Sequence, residues 1–178
     1  NANGKNVVVI GGGDTAMDCV RTAIRQDAAS VKCLYRRDRD NMPGSLREVS
    51  HAEEEGVEFI WLTAPQAFVG DDNAKMVNGV RTQRMHLGAP DATGRQAPQL
   101  VEGSSSVIAA DLVIKAVGFD PEDLPTMWDE PKLPVTRWGT LRVNHQTMMT
   151  ELDGVFAAGD IVRGASLVVW AINEGRGA

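Results

Sequence analysis

The stretch that most constrains this chain is Lys5 to Asp18, KNVVVIGGGDTAMD. Four consecutive apolar residues, Val7 to Ile10, lie between glycines, the pattern of a strand buried on both faces in a parallel sheet. Residues 5–10 are therefore predicted as a strand. Three glycines turn the chain. From Asp14 to about Gln26 the residues Ala16, Met17, Val20, Ala23 and Ile24 then recur at helical spacing. A second strand is expected at Val31–Tyr35, followed by the loop RRDRDNMPG with Pro43-Gly44 as punctuation. Ser45 and Glu48 have the spacing of a capping box at the start of a second helix, which should end at Gly56. Val57–Leu62 reads as a third strand. The order strand, helix, strand, helix, strand predicts a parallel sheet with crossover helices.

The rhythm then changes. Ala67 to Ser106 holds short alternating pieces, with Asn78-Gly79 and Asp91–Gly94 as expected turns, and predicts an inserted antiparallel meander. Asp111–Val117 returns to a buried strand that Gly118 ends. A proline-rich connection follows. After it, VTRWGTLRVN reads as a hairpin around Trp138-Gly139. Leu152–Ile161 reads as a short buried strand ending in Gly159-Asp160, and a helix is expected from about Ser166 to Glu174.

The first glycine turn has the G-x-G-x-x-G/A pattern as Gly11, Gly13 and Ala16, in the strand-to-helix context the pattern requires. Gly11 permits the tight turn, Gly13 lets the backbone approach a pyrophosphate, and Ala16 keeps the helix close to the strand. The free N–H groups at the helix start, around Gly11, Gly12, Gly13, Asp14 and Thr15, then cradle the anion. A glycine turn without a ligand is the plain structural alternative. At the end of the second strand, where an acid would bind a ribose 2′-OH, the chain has Tyr35-Arg36-Arg37. Two guanidinium groups suit a 2′-phosphate, which an acid would repel, so NADPH is expected over NADH. The alternative is that Arg36 and Arg37 are surface charges. Asp38 and Asp40 are expected to face solvent or to pair with Arg39.

The formal charge of −6 argues against a general nucleic-acid surface. No apolar run reaches the roughly 18 residues of a membrane span. Cys19 and Cys33 form no CxxC pair, which points to a reducing compartment and away from a disulfide reductase. His51, His86 and His145 have no metal-ligand spacing, and no catalytic acid, base or nucleophile is assigned. Glu48, Glu53, Glu54 and Glu55 read as a solvated helix face. Trp61, Trp128, Trp138 and Trp170 read as core or subunit-contact residues. Asp160 alone suits a helix cap or turn.

Taken in order after the first motif, DLVIKAVGFDP and TELDGVFAAGD resemble the two-dinucleotide-binding-domain flavoprotein oxidoreductases. Within that family, GGGDTAMDCVRTAIRQ, CLYRRDRDNMPGS, REVSHAEEEGVEF and VFAAGDIVRGASLVVWAINEGRGA are similar to the small (beta) subunits of NADPH-dependent glutamate synthases, over nearly the whole chain. The resemblance implies an α/β chain. A Rossmann-like NADPH-binding domain with the inserted meander spans residues 5–118, and the C-terminal part of an FAD-binding domain spans 119–178. It implies that Gly159 and Asp160 meet FAD and that residues 166–173 approach the isoalloxazine, with Trp170 nearby. It places Gly118 near the nicotinamide side of the crossing between domains. It implies electron input: NADPH reduces FAD, and electrons pass through iron–sulfur clusters to a large (alpha) subunit that makes glutamate from glutamine and 2-oxoglutarate in the cytoplasm. The family's own ADP-binding glycine turn and cysteine-rich segment have no counterpart in this sequence. The chain is therefore expected to be a fragment that binds NADPH, holds FAD poorly, does not complete the reaction and exposes surfaces through which a homodimer can form. A related NADPH:acceptor flavoprotein and a non-catalytic NADP-binding redox sensor remain the alternatives.

Overall fold

The computed structural model describes residues 1–71 and 75–178, which divide into two compact units, Asn1–Val117 and Gly118–Ala178. In the first unit, the apolar run becomes β1 (Asn6–Ile10). Its alternation explains the run. Val7 and Val9 pack into one hydrophobic cluster while Val8 and Ile10 pack into another on the opposite face. α1 (Asp14–Arg25) buries Ala16, Met17, Val20 and Ala23, four of the five residues expected from its spacing, and Ile24 packs partly buried beside them. Each fully buried valine or methionine contributes about 1.5–3 kcal/mol of apolar transfer free energy.

β2 (Ser30–Leu34), α2 (Leu46–Glu54) and β3 (Glu58–Ile60) follow. After them come β4 (Thr63–Asp71), β5 (Met76–Pro90), β6 (Gln96–Leu100) and β7 (Ser106–Ala109), and then β8 (Leu112–Lys115). Two sheets result. The first has the order β3-β2-β1-β8 with every pairing parallel, Val7 opposite both Val31 and Leu112. The second is the antiparallel meander β4-β5-β6, with β7 also paired to β5. Its Val80 and Ile108 join Val8, Ile10 and Leu34 in the second cluster, so the meander covers the sheet face that the helices leave open. The α/β class and the inserted meander are as the sequence predicts.

Several local expectations fail for identifiable reasons. Asn78-Gly79 is not a turn. Both residues lie inside β5, where Gly79 pairs with Val69 and Ala109. A Cβ there would come within 3.0 Å of Val107 Cγ1 and 3.1 Å of the Ile108 carbonyl oxygen, so the glycine serves close strand packing. Asp91–Gly94 does turn: the Gly94 N–H donates to the Asp91 carbonyl at 2.8 Å, with Gly94 at φ 80°. The capping box does not form. Ser45 is the N-cap of α2 but makes no side-chain cap bond, and the Glu48 carboxylate pairs with Arg21 instead. Glu55 also takes Arg21, at 2.8 Å, and Arg25, at 3.0 Å, while Glu53 takes Arg39 at 2.9 Å. Much of the acidic face of α2 is thus engaged with cations rather than solvated. Asp38 accepts from the Asn41 backbone and side-chain N–H groups, leaving Arg39 to Glu53.

The second unit is mostly irregular, with short helices α3 (Leu124–Met127), α4 (Asp160–Arg163) and α5 (Val168–Gly175). The expected hairpin contracts to a turn with one bridge, Val135 to Leu141, and Gly139 at φ 81°. Leu152–Ile161 is not a buried strand. It makes one bridge, Met149 to Phe156, Phe156 is exposed, and Asp160 opens α4. An apolar stretch forms a strand only where a neighbouring strand takes up its backbone hydrogen bonds; here they stop at the Ala157 N–H on the Met148 carbonyl, and the Gly159 N–H bonds to the Glu174 side chain instead. Trp128, Trp138 and Trp170 are exposed and not core residues, whereas Trp61 stacks on Phe59 with centroids 4.8 Å apart.

Candidate functional site

The strand order reverses direction at β1, with β2 on one side and β8 on the other. A crevice outside the carboxyl ends of such strands is where open α/β sheets bind ligands. Gly11 leaves β1 at that point. Its N–H donates to the Leu34 carbonyl at 3.2 Å, and its carbonyl accepts from the Cys33 thiol at 3.4 Å. A Cβ at Gly11 would lie 2.1 Å from the Ala116 carbonyl oxygen, and one at Gly12 would lie 2.3 Å from the Tyr35 ring. Gly11 therefore has no room for a side chain against fixed backbone, and one at Gly12 would have to displace the Tyr35 ring. Gly13 differs: it is the extended N-cap of α1, and a Cβ there would meet nothing within 4 Å. Open space on that side is what a ligand approaching the backbone requires.

The start of α1 is uncapped by any side chain. Among the described residues, the Gly13, Asp14 and Thr15 N–H groups have no acceptor, while Ala16 and Met17 bond back to the Gly13 carbonyl. Free N–H groups and the positive end of a 12-residue helix form an anion site. The Asp14 carboxylate accepts the Ser45 N–H at 3.0 Å, which leaves its backbone N–H as the group able to face an anion. The Gly44 N–H donates to the Gly12 carbonyl at 2.8 Å. The loop before α2 is thus stitched onto the glycine turn. The motif spacing did not reveal this role for Gly44 and Ser45; the nearest signal was the Pro43-Gly44 punctuation.

At the end of β2 the Tyr35 ring packs against Gly12 and its hydroxyl donates to the Asn41 carbonyl at 2.9 Å. Arg36 is exposed and Arg37 half-buried. Neither guanidinium forms an ion pair or hydrogen bond among the described residues, and Arg37 Nε is buried without a partner. Arg21, Arg25 and Arg39 nearby in sequence are all paired. An unpaired buried donor is costly unless a ligand satisfies it. The predicted residues Gly11, Gly12 and Gly13 on the turn, Asp14 and Thr15 at the start of α1, and Arg36 and Arg37 after β2 thus lie where β1 and β2 leave the same end of one parallel sheet. Cys33 beneath them is inert, because burial pushes its thiol up to about 12.

The second unit holds the remaining candidates. Gly118 is exposed at φ 99°. Gly159 is buried at φ 76°, ψ −146°, a region open essentially only to glycine. Asp160 is exposed and accepts the Ser166 N–H at 3.1 Å, and it borders a cavity of about 590 Å³. Phe119, Asp120, Glu122, Trp138 and Ile161 also line this cavity, whereas Gly118 does not. Three acids and two aromatic rings suit hydroxyl groups and a planar ring. With no cation in the lining, the cavity does not suit a pyrophosphate. Trp170 does not line the cavity; the Arg163 guanidinium lies 4.8 Å from its ring centroid. Among the described residues no group of three or more His, Cys, Asp and Glu side chains could hold a metal.

The chain is 73% identical over its whole length to the glutamate synthase [NADPH] small chain of Azospirillum brasilense, covering 36% of that protein. It is 49% identical to the glutamate synthase [NADPH] small chain of Halomonas elongata over 97% of this chain and 36% of that one. The chain thus spans about a third of the length of these curated relatives. Among solved structures, thioredoxin reductase from Lactococcus lactis superposes with a TM-score of 0.77 at 24% identity, covering 99% of this chain and 51% of that one, a likeness of fold. Residues 1–175 match the model of one family, and with the parallel sheet and glycine turn already described they establish that the chain belongs to the pyridine nucleotide-disulphide oxidoreductases.

Proposed function

We propose that this chain supplies the NADPH-binding domain, residues 5–118, and part of the FAD-binding domain, residues 119–178, of an electron-input oxidoreductase of the glutamate synthase small-subunit type. The observation that carries the reading is the pairing of an uncapped helix N-terminus at Gly13 with guanidinium groups at Arg36 and Arg37 that have no partner among the described residues. In this reading the N–H groups of Gly13, Asp14 and Thr15 hold the pyrophosphate, while Gly11 and Gly12 let the turn pack tightly enough to present them. Arg36 and Arg37 hold the 2′-phosphate, and Arg37 Nε finds there the acceptor it otherwise lacks. Gly118 lies toward the nicotinamide. Gly159 and Asp160 meet FAD, with the Asp160 carboxylate accepting from flavin-chain hydroxyls and the acidic cavity leaving the pyrophosphate to other residues. FAD, when bound, accepts a hydride from NADPH and releases single electrons to iron–sulfur clusters. The chain's own part is to bind and orient the two cofactors.

The whole protein would deliver electrons to a large (alpha) subunit that forms glutamate from glutamine and 2-oxoglutarate in the cytoplasm. The likeness to glutamate synthase small chains over the full length of this sequence supports that destination. Titration with NADPH and NADH tests the nucleotide assignment. Each charge-assisted hydrogen bond contributes about 1.5–3 kcal/mol, so Arg36→Ala with Arg37→Ala should weaken NADPH by roughly 100-fold or more and leave NADH nearly unchanged. Equal affinity for the two nucleotides, or no loss in the double variant, refutes the 2′-phosphate assignment.

A further inference from the structure

The second unit contains a buried carboxylate that the motifs do not explain. Glu174, on α5, is 8% exposed. Its Oε2 accepts the Gly159 N–H at 2.8 Å, and its Oε1 accepts Arg163 Nε at 2.8 Å and Nη2 at 2.5 Å. The Gly159 N–H first, and then Arg163, hold this carboxyl below the usual glutamate range. Arg163 is held in turn over the Trp170 ring. Three points of the chain, the outer two 15 residues apart, are thereby tied into one cluster: the peptide entering Gly159, the end of α4, and α5.

The consequence for Asp160 is geometric. A backbone N–H bonded to a fixed carboxylate sets the plane of the Ala158–Gly159 peptide. Gly159 then turns through a conformation that only glycine adopts, and a Cβ there would meet Ala171 Cβ at 3.0 Å. The next residue is Asp160, whose orientation follows from that peptide and whose carboxylate caps the Ser166 N–H. Of the residues beside Asp160 along the cavity wall, Ile161 lies in the segment clamped between Gly159 and Arg163, and Gly164 follows it directly.

We infer that Glu174 and Arg163 are positioning residues for FAD: the ion pair presets the Gly159–Asp160 turn so that the Asp160 carboxylate meets the flavin's ribityl chain without rearranging. The inference rests on the reading of Asp160 as a flavin contact. It assigns α5 a second task, because the same helix that approaches the ring also holds the turn that grips the chain. Arg163 is committed to Glu174 and is not a phosphate ligand.

The test uses the full-length protein, with FAD affinity measured by reconstitution of apoprotein and flavin fluorescence quenching, and the visible circular dichroism of bound flavin as a second readout. Glu174→Gln keeps the volume and removes the charge. It should weaken FAD about tenfold and alter the flavin dichroism, with NADPH affinity unchanged. Arg163→Lys, which retains the charge, should weaken FAD less than Arg163→Ala. Asp160→Asn should weaken FAD by itself, and the double variant Asp160→Asn, Glu174→Gln should lose no more than Asp160→Asn alone, because Glu174 acts through Asp160. A loss in Glu174→Gln that simply adds to that of Asp160→Asn marks a general structural role and overturns the inference. So does unchanged FAD affinity in Glu174→Gln while Asp160→Asn is weakened. Unchanged affinity in Asp160→Asn refutes the flavin-contact reading itself, and the inference falls with it. If Glu174→Gln fails to fold, Arg163→Ala, which leaves the buried carboxylate on the Gly159 N–H, provides the same cycle with Asp160→Asn.

Discussion

Substituting Gly11 by alanine separates the packing demand of the glycine turn from its binding role. A Cβ at Gly11 would fall 2.8 Å from the Ala116 carbonyl carbon and 2.1 Å from its oxygen, the latter more than 1 Å inside the ordinary contact distance that begins at 3.4 Å. The obstructing atoms are backbone, not the far end of a flexible side chain, and the Ala116 N–H ties this segment to the Ile10 carbonyl at 2.8 Å. The backbone at φ 151° adds strain for a residue with a Cβ. Relief requires β1 and β8 to separate, which places the cost at the upper end of the overpacking range, about 3 kcal/mol. Against a total stability of roughly 5–15 kcal/mol, this is a large fraction. At about 2–4 °C per kcal/mol for a chain of this size, the melting temperature should fall by roughly 6–12 °C. Gly13→Ala is the matched control. Its Cβ meets nothing within 4 Å and its φ of −92° suits alanine, so its melting temperature should stay within about 2 °C, while NADPH binding weakens because the methyl group occupies the approach to the helix start. Thermal unfolding by circular dichroism and NADPH titration of the full-length protein read both arms. A Gly11→Ala melt within about 2 °C of the parent refutes the steric argument, and undiminished NADPH binding by Gly13→Ala refutes the ligand approach.

Three further outcomes are expected. The Cys33 thiol, pushed up to about 12 by burial, should resist alkylation at pH 8 in the folded protein and react on unfolding; rapid native labelling refutes this. The Glu55 carboxyl is held below its usual range, first by its hydrogen bond to Arg21. Its depressed folded value means that its stabilisation is present above the unfolded glutamate value of about 4.3 and is lost as pH falls through the folded value. Glu55→Gln should therefore flatten the loss of stability on acidification below about pH 4.3, and an unchanged acid limb in denaturant titrations refutes the assignment. Gly79→Ala, where the methyl would be 3.0 Å from Val107 Cγ1 and 3.1 Å from the Ile108 oxygen, should cost about 1 kcal/mol by denaturant unfolding; a turn at this position would predict no such packing loss.

The parts of the fold that were legible are those whose signal is local or periodic. Val7–Ile10 could only be a strand covered on both faces, and Ala16, Met17, Val20 and Ala23 could only be one face of a helix. Asp91–Gly94 turned where its composition said it should. The failures share a different cause. Asn78-Gly79 has turn composition, yet its neighbours in space, Val107 and Ile108, decide that the glycine is a close approach inside β5. Ser45 and Glu48 have capping-box spacing, but Arg21, 27 residues before Glu48, outcompetes the cap. The apolar VFAAG stretch has strand composition, yet its pairing stops at one bridge, and the Gly159 N–H goes to the Glu174 carboxylate rather than to a strand. For the candidate site, the glycines and the two arginines were visible as a pattern. That Arg36 and Arg37 are left unpaired, while Arg39 is paired, is a fact about side chains brought together from separate elements.

By itself, then, the sequence determined the α/β class, the parallel β1, β2 and β3 with an inserted meander after them, and the strand-turn-helix on which a nucleotide site can be built, whereas the place of β8 beside β1 came from the structure. Hydrophobic periodicity and the sterics of glycine act within a few residues, and they survive in any context. Only the tertiary structure decided which charges remain free, that Gly44 and Ser45 are tied to the glycine turn, and that Glu174 clamps Gly159. Hydrogen bonds and ion pairs depend on distances of about 3 Å between atoms far apart in the chain, and those distances exist only once the chain has folded.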